Sequence, residues 1–151
     1  MIIFKKYYIY IIVIIIGAIF FYDYLFLQKF KNSYKKEGLY TTGTIQEVKG
    51  YGRGTGFKFI YTFNLNGKSY KSNCDVGKLS YSVAEKKVNK KYLVLYLNSD
   101  VHNNRLYANI PLVDSTLKTN AELKNWIERN PLIKQKLDSI PGAGFFWENY
   151  F

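Results

Sequence analysis

Twenty-one consecutive residues, Tyr7 to Leu27 (YYIYIIVIIIGAIFFYDYLFL), carry a single charge, Asp23. As a helix rising ~1.5 Å per residue this run reaches about 31 Å, the thickness of a bilayer's hydrocarbon core. Its isoleucines favour strand in water, but a strand of that length is abnormal. In lipid a helix satisfies every backbone group within itself, so the bilayer decides the conformation. Tyr7, Tyr8 and Tyr10 stand at one end and Tyr22 and Tyr24 at the other, where amphipathic rings meet headgroups. Lys5 and Lys6 stop the run on one side; Lys29, Lys31, Lys35 and Lys36 stop it on the other. The expectation is an N-terminal tail over 1–6, a transmembrane helix over 7–27 and a basic juxtamembrane connector over 28–38.

No small-residue cleavage site follows Phe21, and the single cysteine, Cys74, lies far from the run. Both points argue for an uncleaved anchor over a signal peptide or a lipid-modified cysteine. Asp23 sits four residues from the end of the run, within reach of the headgroups. The flanking lysines, counted alone, vote for a cytoplasmic C-terminal domain. A short basic tail before the apolar run instead has the form of a signal-anchor, which translocates the domain behind it. The expected location is the bacterial cytoplasmic membrane, single-pass, with the C-terminal domain on the extracytoplasmic side.

Composition narrows the rest. The net charge of +11 comes from 22 Lys+Arg, of which only Arg53, Arg105 and Arg129 are arginine. Nucleic-acid binders use arginine where bidentate contacts matter, so no nucleic-acid partner is expected. One cysteine rules out an intramolecular disulfide and a cysteine-rich zinc module. Fifteen tyrosines and 11 phenylalanines are far too aromatic for a disordered chain.

From Leu39 the pattern turns to β. Thr42 to Val48 is rich in β-branched residues. Phe57, Phe59, Tyr61, Phe63 and Leu65 alternate with Lys58, Ile60, Thr62 and Asn64, the period of a strand with one apolar face. Asn66-Gly67 supplies the two positive φ values of a type I′ turn, and Lys68 to Cys74 returns as the partner strand. Ser82 and Glu85 have the spacing of a capping box, which predicts a short helical turn to Val88. Tyr92 to Leu97 is apolar on both faces, Asn98 to Asn104 is a polar turn, and Arg105 to Ile110 is a further strand. Thr119 and Glu122 form a second capping box, with Leu123, Trp126 and Ile127 at helical spacing behind it. Asn130-Pro131 ends that helix, and Leu132 to Ser139 predicts another. The fold class is α+β, mainly β. A small antiparallel sheet or half-open barrel of four or five strands spans 39–112, and a helical segment with an aromatic tail spans 113–151.

Chemistry is sparse. The glycine run Gly50 to Gly56 satisfies neither phosphate-loop pattern and precedes a strand, so it is read as a hairpin loop with Arg53 at its tip. His102, with Asp100 two residues away, and Cys74 are single groups without the third partner that nucleophilic catalysis needs. The expectation is a non-enzymatic protein with no cofactor and no metal. Arg53, and Trp147 and Tyr150 in the terminal FFWENYF, are the candidate partner contacts. The bilayer is one expected partner and another envelope protein the second, with an immunity protein against a membrane-acting toxin as one concrete form. The alternative is a lipid-surface protein that grips anionic headgroups through its lysines and aromatic tail, and behind it stands an enzyme dependent on Cys74 and His102.

Gly43-Thr-Ile, Tyr61 to Tyr70 (YTFNLNGKSY), and Leu93 to Tyr96 with the Asn/Asp-rich turn and Arg105-Leu106 together resemble a family of membrane-anchored small β domains of unknown function. That resemblance, over about 43–112, implies one or two membrane helices and an antiparallel β domain, and it implies no catalytic residues. Prolines usual in the family's last turn are missing here, as is a second membrane helix.

Overall fold

The computed structural model describes residues 2–51, 56–113 and 116–138, with the side chains of 2–6, 27, 30, 31 and 138 outside the description. The chain divides into a helical unit and a compact unit spanning Glu37–Ile140. The helical unit is α1, Ile2–Glu37. Its stretch Tyr7–Phe26 has a mean hydropathy of 2.3 and is the one described helix long and apolar enough to cross a membrane. Its large apolar side chains are mostly exposed: Ile9 is 67% exposed, Ile14 69% and Phe21 64%. The helix does not stop with the apolar run, and the 28–38 connector is helical through Glu37.

The compact unit is a five-stranded antiparallel sheet in the order β3-β2-β1-β4-β5. The strands are β1, Gly38–Gly50; β2, Phe57–Leu65; β3, Lys68–Asp75; β4, Lys91–Leu97; and β5, Asn104–Pro111. A short helix α2, Tyr81–Glu85, links β3 to β4, and α3, Asn120–Glu128, and α4, Pro131–Asp138, come after β5. The β2–β3 hairpin turns as its sequence requires, with φ of 51° at Asn66 and 80° at Gly67. Strand β1 is far longer than its β-branched centre, because it pairs with β2 along one edge and with β4 along the other.

Alternation along β2 puts Phe59, Tyr61 and Phe63 on one face, where they form a core with Ile45, Tyr92, Val94 and Leu106. A bulge between Ile45 and Glu47 keeps β1 in phase with that face: Ile45 opposes Tyr61 and Val48 opposes Phe59. The alternate residues of β4, Leu93, Leu95 and Leu97, are buried on the opposite face. Thr42, the partner of Leu93, donates its hydroxyl to the Leu117 carbonyl there, and Asn120 Oδ1 accepts the Tyr40 N–H at 2.7 Å. The helical segment therefore lies over that face, with Leu123, Ile127 and Leu137 buried. This explains why β4 is apolar on both sides.

The two capping boxes fare differently. At α3 both bonds form: Thr119 Oγ1 accepts the Glu122 N–H and Glu122 Oε2 accepts the Thr119 N–H. At α2 the helix starts two residues early, with Ser80 as N-cap and no side-chain cap bond, so Ser82 lies inside the helix. Burying Ala84 on the core fixes the helix there, and packing outweighs the local signal.

Gly43 is the glycine that the packing needs. A Cβ there would lie 2.5 Å from Val94 Cγ2, and the Thr62 carbonyl oxygen stands 3.4 Å away on the other side. Val94 is buried and β-branched, so its side chain has little freedom to give way. In an ordinary strand Gly→Ala stabilises by reducing unfolded-state entropy. Here Gly43→Ala is expected to destabilise by about 1–3 kcal/mol through overpacking. A guanidinium titration of the full chain in detergent reads the sign directly.

Candidate functional site

Cys74 and His102 are not brought together as a catalytic pair. Alternation along β3 turns Cys74 toward the core, opposite Phe59. The residue keeps some surface on its edge strand, but its sulfur lies in the apolar interior. Burial pushes the thiol up to about 12; the Arg105 guanidinium and the Leu106 N–H oppose the rise, and Asp75 adds to it slightly. His102 sits in the exposed β4–β5 turn, its ring edge-on to Tyr70 at 6.2 Å. Tyr70 is four residues from Cys74 along β3, roughly 13 Å. Asp100 does not orient the imidazole. Its carboxylate accepts the His102 backbone N–H at 3.0 Å and the Asn103 Nδ2–H at 2.8 Å, folding the turn instead. No cluster of metal-ligating side chains occurs among the described residues.

The raised thiol has a measurable consequence. At pH 8 its thiolate fraction is about a thousandfold below that of an ordinary thiol. The folded chain should resist iodoacetamide at pH 8 and react promptly once unfolded. The unfolded thiol deprotonates first as pH rises. The stability tied to Cys74 is therefore complete below about pH 9 and is lost on the way to about 12.

Arg53, Trp147 and Tyr150 lie outside the described residues. Lys5, Lys6 and Lys31 lie on α1 with their side chains outside the description, while Lys29, Lys35 and Lys36 are exposed toward its C-terminal end.

The sheet's two edges differ, and sequence reasoning did not anticipate the difference. Along β5 the peptide groups meet side chains. Lys87 Nζ donates to the Ala108 carbonyl at 2.9 Å, with the ammonium also over the Tyr92 ring. Lys136 Nζ donates to the Asn109 carbonyl, Arg105 Nη1 donates to that of Asn104 at 3.4 Å, and the Leu106 N–H meets the Cys74 sulfur. Among the described residues no strand is hydrogen-bonded along the outer side of β3, but β5 comes up against it, with the Leu106 N–H on Cys74 and the His102 ring beside Tyr70.

Beside that edge lies a buried polar pin. Tyr61 is fully buried, and its hydroxyl donates to Asn104 Oδ1; Asn104 Nδ2 donates to the carbonyls of Val101 at 2.8 Å and His102 at 3.0 Å. Both ends of the amide are satisfied, and the turn after β4 is tied to the core of β2. Asn104 reads in sequence as the last residue of a polar turn. Nothing local marks it as buried, since its partner is 43 residues away.

The class these observations define is a small antiparallel β domain, with helices on one face, joined to a long apolar helix. No family model matches the chain, and no curated protein or solved structure is detectably similar to it.

Proposed function

We propose that this chain is a non-enzymatic, single-pass membrane protein whose β domain binds another protein at the bacterial cell envelope. The observation that carries the reading is the Tyr7–Phe26 stretch of α1, long and apolar enough to cross a membrane, with most of its large apolar side chains exposed. A surface of that size in water is a liability, and in a bilayer it is an anchor. The chemistry of the domain supports a binding role: its only thiol is held protonated, its only imidazole is in an exposed turn, and its buried polar groups serve packing. On this reading the domain faces the extracytoplasmic side of the cytoplasmic membrane, and a toxin-neutralising immunity protein is one form the activity would take.

Affinity capture with the detergent-solubilised full chain tests the binding role. A stoichiometric protein partner is expected; recovery of none from either membrane or soluble fractions counts against it. A C-terminal reporter active only outside the cytoplasm tests the side, and an inactive fusion reverses the assignment.

A further inference from the structure

Helix α1 continues unbroken past its apolar stretch to Glu37, and that continuity sorts the lysines that follow. At about 100° per residue, Lys29, Lys31, Lys35 and Lys36 fall within an arc of about 160°, shared only with Gln28 and Asn32. The nearby acidic residues, Asp23 and Glu37, fall on the other side of the helix. So do Phe26 and Ser33, which are half-buried, and Tyr34, which is 4% exposed. Lys29, Lys35 and Lys36 are exposed, as are Gln28 and Asn32. None of these three lysines has an acidic partner among the described residues. One side of the segment is covered at Phe26, Ser33 and Tyr34; the other is open, basic and free of carboxylates.

Depth decides what this side meets. Lys29 is three residues beyond Phe26, about 4.5 Å along the axis, and Lys36 is ten residues beyond it, about 15 Å. The headgroup layer extends about 5–7 Å outside the hydrocarbon core. Lys29 therefore lies at the level of the phosphates. Side chains on a helix lean toward its N-terminus, which here is the direction of the bilayer. Lys35 and Lys36 thus lay their long stems back toward the plane that Lys29 occupies. Offsetting the helix dipole accounts for Lys35 and Lys36 in the last turn, but not for Lys29 and Lys31. A flank that only ended the apolar run would have no reason to keep its acids on the opposite side. We infer that this basic side of α1 binds the headgroups of anionic phospholipids, selecting them over zwitterionic lipids in the leaflet where the helix leaves the bilayer. The ammonium groups act as point charges on singly charged phosphodiesters. The inference rests on the membrane-anchoring part of the reading above; it depends neither on the protein partner nor on which leaflet is involved.

The test uses the full chain in detergent micelles doped with equal amounts of phosphatidylcholine and phosphatidylglycerol, with bound lipid read by native mass spectrometry. Phosphatidylglycerol should be retained over phosphatidylcholine by about tenfold or more, since each lysine near an anionic headgroup is worth roughly a fivefold factor. Added salt should erode that preference. Lys29→Gln, Lys35→Gln and Lys36→Gln together should bring the two lipids close to parity. Lys68→Gln, Lys71→Gln and Lys124→Gln, which remove the same charge from the β domain, should leave the preference intact. Equal retention of the two lipids by the unmodified chain, or equal loss in both triple variants, overturns the inference. Displacement of the lipid by inorganic phosphate or by polyglutamate at equal charge would show that the lysines answer to any anion, and would overturn the lipid assignment. Carbonate extraction of the unmodified chain from vesicles is run alongside. Release there would remove the anchoring reading itself, whereas retention in the bilayer without lipid preference would remove this inference alone.

Discussion

With lysines in place of Ile15 and Ile16, the full chain should leave the membrane pellet on alkaline carbonate extraction, while the unmodified chain stays. Both residues lie near the middle of the apolar stretch, 53% and 46% exposed. No packing within the protein is lost by changing them. What changes is transfer into hydrocarbon: a lysine at the centre of a membrane helix costs about 2.5–3.5 kcal/mol, so the pair costs about 5–7 kcal/mol. Snorkelling offers little relief at that depth, since either interface is roughly 15 Å away along the helix. A variant that still pellets, with its circular dichroism unchanged, would mean that this helix is not what holds the chain to the membrane.

Replacing Asn104 by alanine should destabilise the β domain by about 3–4 kcal/mol. The Tyr61 hydroxyl, fully buried among Phe59, Phe63 and Tyr92, would lose its acceptor, and the carbonyls of Val101 and His102 would lose their donor. A buried unsatisfied group costs about 1–3 kcal/mol; the two turn carbonyls stand nearer water and add less. Denaturant unfolding followed by near-UV circular dichroism of the core tyrosines measures the change. Adding Tyr61→Phe to Asn104→Ala removes the orphaned hydroxyl with its partner, and the double variant should fall short of the sum by about 1–2 kcal/mol. Strict additivity would show that the two residues do not act as a pair.

The Tyr61–Asn104 bond holds the β4–β5 turn against β2, and beside it the His102 ring meets Tyr70 of β3. The start of β5 is thereby kept next to β3. Loosening the pin should disturb that neighbourhood before it disturbs the β2–β3 hairpin, whose turn chemistry is local.

Local interactions were legible without a structure. The apolar run is long, uninterrupted and flanked by lysine, so no distant residue is needed to recognise its helix. The β2–β3 hairpin is written in Asn66-Gly67 and in the alternation before it, and its register is set by the turn. The α3 cap is legible because Thr119 and Glu122 are three residues apart. The failure at α2 has the same origin. Ser82 and Glu85 carry an equally good local pattern, but Ala84 has to reach the core, and that requirement starts the helix at Tyr81.

By itself, then, the sequence determined the apolar helix, the hairpin, the α3 cap and the mainly β character of the domain beyond that helix, because each depends on neighbours within one turn or one strand pair. Only the tertiary structure decided that β1 lies between β2 and β4, that Gly43 faces Val94 with no room for a methyl group, and that Asn104 is buried under Tyr61. It alone decided that the start of β5 comes up against β3, with the Leu106 N–H on the Cys74 sulfur. Those outcomes depend on which strands become neighbours and in what register, and they are set by side chains tens of residues apart meeting in one core.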